Sequence, residues 1–273
     1  MELPPKFDAV FVYTTATLLV VPELLASGPA RRGDMVRRTL ITGALLWAVV
    51  CPPLGWGQAV DARTAAGQLH ACGGAANWQR VGYLEFEVRV ETEQGSSGPW
   101  LYRWARREGF MRMTGRTPDG AQADVAVELT SRTGGGWKNG VQLTGKALAD
   151  TVAWALSRFS EDVLWLTFPL EWGAAGVTVR ALDDDVGEDG AARPAVEVSS
   201  SIGNWKCVLD RETGRIQKTE YNRPGVGSYT ALWEDWQVHG GVYFAGRRRI
   251  LETGETIILS VKQVLAQTPA TAF

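Results

Sequence analysis

The residue types that most often carry chemistry are scarce in this chain. Histidine occurs only at His70 and His239, and cysteine only at Cys51, Cys72 and Cys207. A zinc site needs His and Cys ligands at characteristic spacings, and neither an HExxH helix nor a Cys/His cluster is present. No GxSxG elbow and no triad spacing appears that would activate a nucleophile. The run GVQLTGKA, from Gly140 to Ala147, follows a phosphate-binding loop as far as Lys146. That loop continues with a Ser or Thr whose hydroxyl holds Mg²⁺. Here the next residue is Ala147 and no strand–helix–strand unit surrounds it, so no nucleotide partner is expected. The run DDDVGEDG offers Asp183, Asp185 and Asp189 as oxygen ligands. It lacks the spacing and the terminal Glu of a calcium loop, and it reads as a solvated acidic loop. These observations assign no catalytic residue, no metal ligand and no cofactor.

Tryptophan is the more informative residue. The chain has 12, and ten of them follow Ala59. Indole combines a large apolar area with one N–H that needs a partner, which suits pockets and interfaces as well as cores. Trp100 and Trp104 share a strand face with Tyr102, so a concave aromatic wall is expected there.

The elements that must position these residues follow from periodicity. In YLEFEVRVE, Leu84, Phe86, Val88 and Val90 alternate with charged residues, the two-residue period of a half-buried strand. AQADVAVELT repeats the pattern through Val125 and Val127, and TGGGWKNG reads as a glycine-rich hairpin. From Lys146 to Trp165, Leu148, Val152, Phe159 and Val163 recur at helical spacing. A first helix runs from Val60 to Ala76, where Gly73-Gly74 ends it. After Trp172 short β-runs return, punctuated by turns such as LDRETGRIQ. The expectation is an α+β, mainly β fold. It is a curved antiparallel half-open barrel of about ten or eleven strands, because hairpin-length turns make a meander. The N-terminal helix and a mid-chain lid helix lie on its concave side. GRRRI (246–250) puts Arg247 and Arg249 on one face, read as a solvated edge strand.

The N-terminal region is organised differently. Arg37 and Arg38 precede an apolar run from Leu40 to Val50; Pro52-Pro53 and the small residues Gly57 and Ala59 follow. Basic, apolar, small is the secretory-signal order, and the apolar run is too short to span a membrane. Residues 35–59 are therefore read as a signal cleaved near Ala59, with an uncleaved anchor as the alternative. Residues 1–34 are read as an over-extended leader, and 60–273 as one β domain that works in the periplasm or is secreted. The full chain carries 28 Lys+Arg and 30 Asp+Glu; residues 1–59 hold five basic and four acidic ones, leaving 23 against 26. That balance does not suit nucleic-acid binding, which needs many unpaired cations. Cys72 and Cys207 remain in the exported part, either as one disulfide or as two buried thiols.

The order of the motifs resembles the bacterial outer-membrane lipoprotein-carrier (LolA-like) superfamily, in particular its uncharacterised periplasmic branch. The resemblance is carried by HACGGAANWQRVGYLEFEVRV, YRWARREGFMRM with Arg112, KALADTVAWALSRFSEDVLWLTFPLEW, WKCVLDRETGRIQKTEY and the closing LSVKQVLAQTPATAF. It implies a half-barrel whose concave apolar face, covered by helices, holds a lipid or acyl chain, without catalytic residues. Strand parity nominates Leu84, Phe86, Val88, Trp100, Trp104, Val125, Val127, Trp205, Leu209, Ile257 and Leu259 for that face, and the resemblance adds Arg112. Leu148, Val152, Phe159 and Val163 would form the lid. The expected function is a non-enzymatic carrier or binder of a hydrophobic ligand. Alternatives are an envelope protein-interaction or sensory module and, third, a hydrolase with an unrecognised site. Production through an export pathway followed by N-terminal mass analysis is expected to give a chain beginning at Val60; retention of 35–59 would identify the anchored form instead.

Overall fold

Alternating apolar residues build one large sheet. The computed structural model describes residues 11–14, 17–20, 62–223 and 227–273, so the export stretch at 35–59 lies outside the described residues. The main-sheet strands are β1 Tyr83–Thr92, β2 Gly95–Ala105, β3 Phe110–Arg116, β4 Gln122–Glu128, β5 Thr133–Lys138, β6 Val141–Gln142, β7 Thr178–Ala181, β8 Ala195–Ser200, β9 Gly203–Leu209, β10 Ile216–Arg223, β11 Gly227–His239, β12 Val242–Ile250 and β13 Thr256–Leu265. Two short ribbons stand apart from it, Phe11–Thr14 with Thr17–Val20 and Asp185–Val186 with Ala192–Arg193.

The sheet order is β6-β5-β4-β3-β2-β1-β13-β12-β11-β10-β9-β8-β7. It joins two antiparallel meanders through β1 and β13, with Val88 opposite Leu259 and Val90 opposite Ile257. The sheet does not close: β6 and β7 are its two edges. It has thirteen strands where ten or eleven were expected. The additional two are the arms of the glycine-rich hairpin, β5 and β6. Three consecutive glycines leave no alternation to read, yet Gly134 must be glycine, since a Cβ there would stand 2.1 Å from the Ala126 carbonyl oxygen.

The chain passes between the two edges through α3, Gly145–Thr167, a 3-10 turn at Phe168–Leu170 and the loop that follows. A flat sheet of this width would separate its edges by about 58 Å, and a helix of this length covers about 35 Å. The sheet curls into a half-barrel and α3 lies across its concave side, packing on β4 and β5 near its start and on β12 near its end. The other helical segment is broken in two, α1 Ala62–Ala71 and α2 Ala75–Arg80, where a single helix was expected. The break falls at Gly73 (φ 104°) and Gly74 (φ 89°). Gly73 abuts the β11–β12 turn so closely that a Cβ would lie 2.0 Å from the Gly241 carbonyl oxygen. Helix α1 packs beside edge strand β7 and the 3-10 turn.

One hydrophobic core joins α3 to the inner face. Phe159 sits at its centre, 5.7 Å from the Tyr102 ring and 5.6 Å from the Trp104 ring, and is almost fully buried. Cys72 and Cys207 are both buried free thiols in this structure, not a disulfide. Cys72 Sγ accepts a hydrogen bond from Gln68 Nε2, and burial pushes its thiol up to about 12. Truncating Phe159 to alanine leaves a cavity between helix and sheet, so Phe159→Ala is expected to cost about 3–5 kcal/mol in chemical denaturation. The exposed Ala149→Ser should change stability by less than about 0.5 kcal/mol.

Candidate functional site

The inner-face residues nominated by strand parity do share one face. Leu84, Phe86 and Val88 on β1 stand opposite Trp104, Tyr102 and Trp100 on β2. These, with Val125, Val127, Trp205, Leu209, Ile257 and Leu259, are buried in a single cluster with Val152, Phe159 and Val163 of α3; Leu148 packs on it partly buried. The expectation of a largely open concave cleft meets a different result. The helix's own apolar stripe fills most of that face. Arg112 is also not on it. Strand parity turns Met111 and Met113 inward, and Arg112, half-buried on the other face, grips Asp124 through Nε (2.8 Å) and Nη2 (2.6 Å).

Two buried polar anchors fix α3. In the helix's C-terminal half, Tyr102 donates to Asp162 Oδ2 at 2.6 Å and Arg158 Nε donates to the same oxygen at 2.9 Å. Arg158 also lies over the Trp100 ring, 4.4 Å from its centroid. Asp162 is sealed from solvent. Burial raises its carboxyl above the usual range, opposed by Arg158 and by the Tyr102 hydroxyl. Beside it, burial pushes Glu161 up to about 7, against the pull of Arg158 at 3.7 Å. At the helix's C-terminal end, Arg248 on β12 donates to the carbonyls of Trp165 and Ala245 and lies 4.1 Å from the centroid of Trp233. Among the described residues no carboxylate pairs with it, and burial lowers its guanidinium to about 9.

Past Trp165 the packing becomes aromatic and incomplete. Phe168 approaches Trp205 (5.0 Å), Trp233 (6.0 Å) and Trp172 (6.0 Å), and Tyr221 bridges Trp205 (4.9 Å) and Tyr229 (4.8 Å). Rings of this size at fixed angles leave a cleft of about 40 Å³. Leu164, Thr167, Phe168, Glu171 and Trp172 form one wall; Val177, Val198, Ser200, Ile202 and Trp205 form the other. The cleft is nearly all apolar. Its one carboxylate is Glu171, which accepts from the Trp78 indole, and burial raises its carboxyl against the pull of Arg106. Of the predicted residues only Trp205 lines the cleft. The helix-end residues escaped because VLWLTFPLEW passes from α-helix to 3-10 turn at Phe168, where neither period applies; its density of aromatics was the available signal.

Most of the remaining sequence candidates have structural partners. Of the acidic-loop candidates, Asp185 and Asp189 pair with Lys206 and Arg193, and Asp184, next to the third candidate Asp183, pairs with Arg211. Among the described residues no group of three His, Cys, Asp or Glu is placed to hold a metal ion. Strand β12 is interior to the sheet, so GRRRI is not an edge; Arg247 and Arg249 pair with Asp235 (3.2 Å) and Glu234 (3.1 Å) on the outer face.

No family model and no curated protein matches the sequence. Among solved structures, the chain is similar to a LolA superfamily protein from Nitrosomonas europaea, with 11% identity over 74% of this chain and 92% of that one and a TM-score of 0.38. It is similar to a domain assigned to outer membrane lipoprotein sorting from Vibrio parahaemolyticus, with 10% identity, 73% and 92% coverage and a TM-score of 0.35. It is also similar to MucB in complex with MucA, with 14% identity, 76% and 57% coverage and a TM-score of 0.23. The first of these carries the superfamily name that the sequence motifs resemble.

The Glu161 carboxyl gives the helix a pH dependence. A carboxyl whose folded value lies above its unfolded one holds its proton better in the native state, so stability falls as pH rises from about 4.5 to about 7. The displacement sets a ceiling of about 3 kcal/mol, and the 30% exposure of the side chain brings the expectation to about 1–2 kcal/mol. Glu161→Gln should match the wild type in urea denaturation at pH 4.5 and exceed it by that amount at pH 8.

Proposed function

We propose that the protein is an exported, non-enzymatic binder or carrier of a hydrophobic ligand, taken up between the C-terminal end of α3 and the concave face. The observation that supports this most directly is the apolar cleft beside Phe168, Trp172 and Trp205, near edge strand β7, where the half-barrel is open. The cleft holds only a few water-sized groups as it stands. A longer chain would enter by displacing the 3-10 turn and the last turn of α3, and each methylene removed from water would contribute about 0.8 kcal/mol. Export through residues 35–59 and work in the periplasm belong to the same proposal. Among the described residues no helix is long and apolar enough to cross a membrane.

A second reading is an envelope interaction or sensory module without a small ligand. The closed packing of the inner face under α3 favours it. For a hydrolase, the buried carboxylate Asp162 is a poor candidate, because Tyr102 and Arg158 engage it and solvent does not reach it.

Native mass spectrometry of the gently purified protein separates the two readings. The binder is expected to carry an extra mass that is lost on denaturation and extracts into organic solvent. Val198→Trp, which fills the cleft from β8, is expected to lose that mass while remaining folded. A bare mass with no uptake of added long-chain lipid of any head group would overturn the binder and leave the interaction module.

A further inference from the structure

The cleft's few polar groups define what the polar end of a ligand must be. Its lining contains no Lys, Arg or His. Thr167 already donates its hydroxyl proton to the Val163 carbonyl at 2.9 Å, and Ser200 Oγ accepts from the Ile202 amide at 3.3 Å. Two groups stand out. The half-buried Glu171 carboxylate accepts from Trp78 and has lone pairs to spare. The neighbouring Trp172, 1% exposed, finds no acceptor for its indole N–H among the described residues. A buried donor left unpaired is costly and calls for an occupant that satisfies it.

Glu171 and Trp172 both line the cleft, and one group can serve an acceptor and a donor together. A hydroxyl gives its proton to a carboxylate and presents lone pairs to an N–H. A fatty-acid carboxylate offers acceptors only, so it brings Glu171 no proton to accept, and the cleft lining holds no cation to receive its charge. Arg106, stacked 4.1 Å from the Trp78 ring centroid, acts on Glu171 from behind that ring and is not part of the cleft wall.

We propose that the ligand class of this cleft is an uncharged chain lipid with a free hydroxyl at its polar end, a long-chain alcohol or a monoacylglycerol, with Glu171 accepting the hydroxyl proton and Trp172 donating to its oxygen. This inference rests on the hydrophobic-ligand reading above.

Isothermal titration of the purified protein at pH 7.5 with dodecan-1-ol and with dodecanoate, two probes of equal chain length, tests it. The alcohol is expected to bind at least about tenfold more tightly than the carboxylate. Glu171→Gln supplies an amide donor to the carboxylate and should bring the two within about twofold of each other, chiefly by improving dodecanoate. Trp172→Phe should weaken the alcohol and leave dodecanoate unchanged. Near-UV circular dichroism checks that both variants keep their aromatic packing, and the wild-type ratio needs no variant. Equal wild-type affinities, or a ratio that Glu171→Gln leaves in place, would overturn the head-group inference while the hydrophobic-ligand reading stands. Binding of neither probe, nor of monododecanoylglycerol, would remove both.

Discussion

A buried cation that meets no carboxylate among the described residues organises this structure. Arg248 is fully sealed from solvent at the seam between β12 and β13, where the ladder is only three residue pairs long, from Arg247–Ile258 to Arg249–Thr256. Its guanidinium reaches Ala245, a carbonyl beyond the end of that ladder, and Trp165, a carbonyl of the helix above. Moving a charge out of water costs several kcal/mol unless polar partners replace the solvent. Here two carbonyl dipoles and the face of Trp233 do so, a combination that a planar, delocalised guanidinium tolerates better than an ammonium would. Burial lowers the group to about 9, so it stays charged near neutral pH. The position of the helix end, and of the aromatic residues beyond it, depends on this one side chain reaching across from the sheet.

The second anchor explains why the helix has one orientation. An apolar stripe alone would tolerate rotation or sliding, because hydrophobic burial is non-directional. Tyr102, Asp162 and Arg158 form a hydrogen-bonded set that is satisfied at one register of α3 on β2. Beside this anchor Phe159 and its neighbours pack tightly. Beyond Arg248 the chain turns through Pro169 and rings replace aliphatic side chains. Flat, rigid groups at interplanar angles between 33° and 75° do not tile a concave surface completely, and the cleft lies there.

The sequence disclosed the strands and their parity more fully than the site. In β1 and β2 the alternation is strict, so the inner-face residues could be named before the pairing was known. The glycine arms β5 and β6 had no side chains to alternate. Arg112 illustrates the opposite error: a resemblance suggested an inner-face role, whereas simple parity with Met111 and Met113 places it outside. The same parity in GRRRI sets Arg247 and Arg249 outside and leaves Arg248 inside. An inward arginine contradicts the usual distribution of charge, and the carbonyls that accommodate it come from residues 3 and 83 positions away in the chain. No local pattern carries that information. The cleft was hidden for a related reason, since its walls join a helix end to strands that follow it by some thirty residues.

A small cleft and a filled core are compatible with a reversible binder when the energies are compared. Lifting the last turn of α3 would break the Trp165–Tyr229, Trp165–Trp233 and Phe168–Trp233 ring contacts, each contributing about 0.5–1.5 kcal/mol. It would also break the Arg248–Trp165 hydrogen bond, a charged one of about 1.5–3 kcal/mol. A chain of ten methylenes entering the opened space would recover about 8 kcal/mol. The two sums are of the same order, so uptake would be favourable without being permanent. A wide preformed cavity would hold such a chain more tightly and release it less readily. A helix held by a sealed Asp162, and one turn further on by the Arg248 hydrogen bond to the Trp165 carbonyl, can yield at the second tether while the first holds, because only the second lies next to unfilled space.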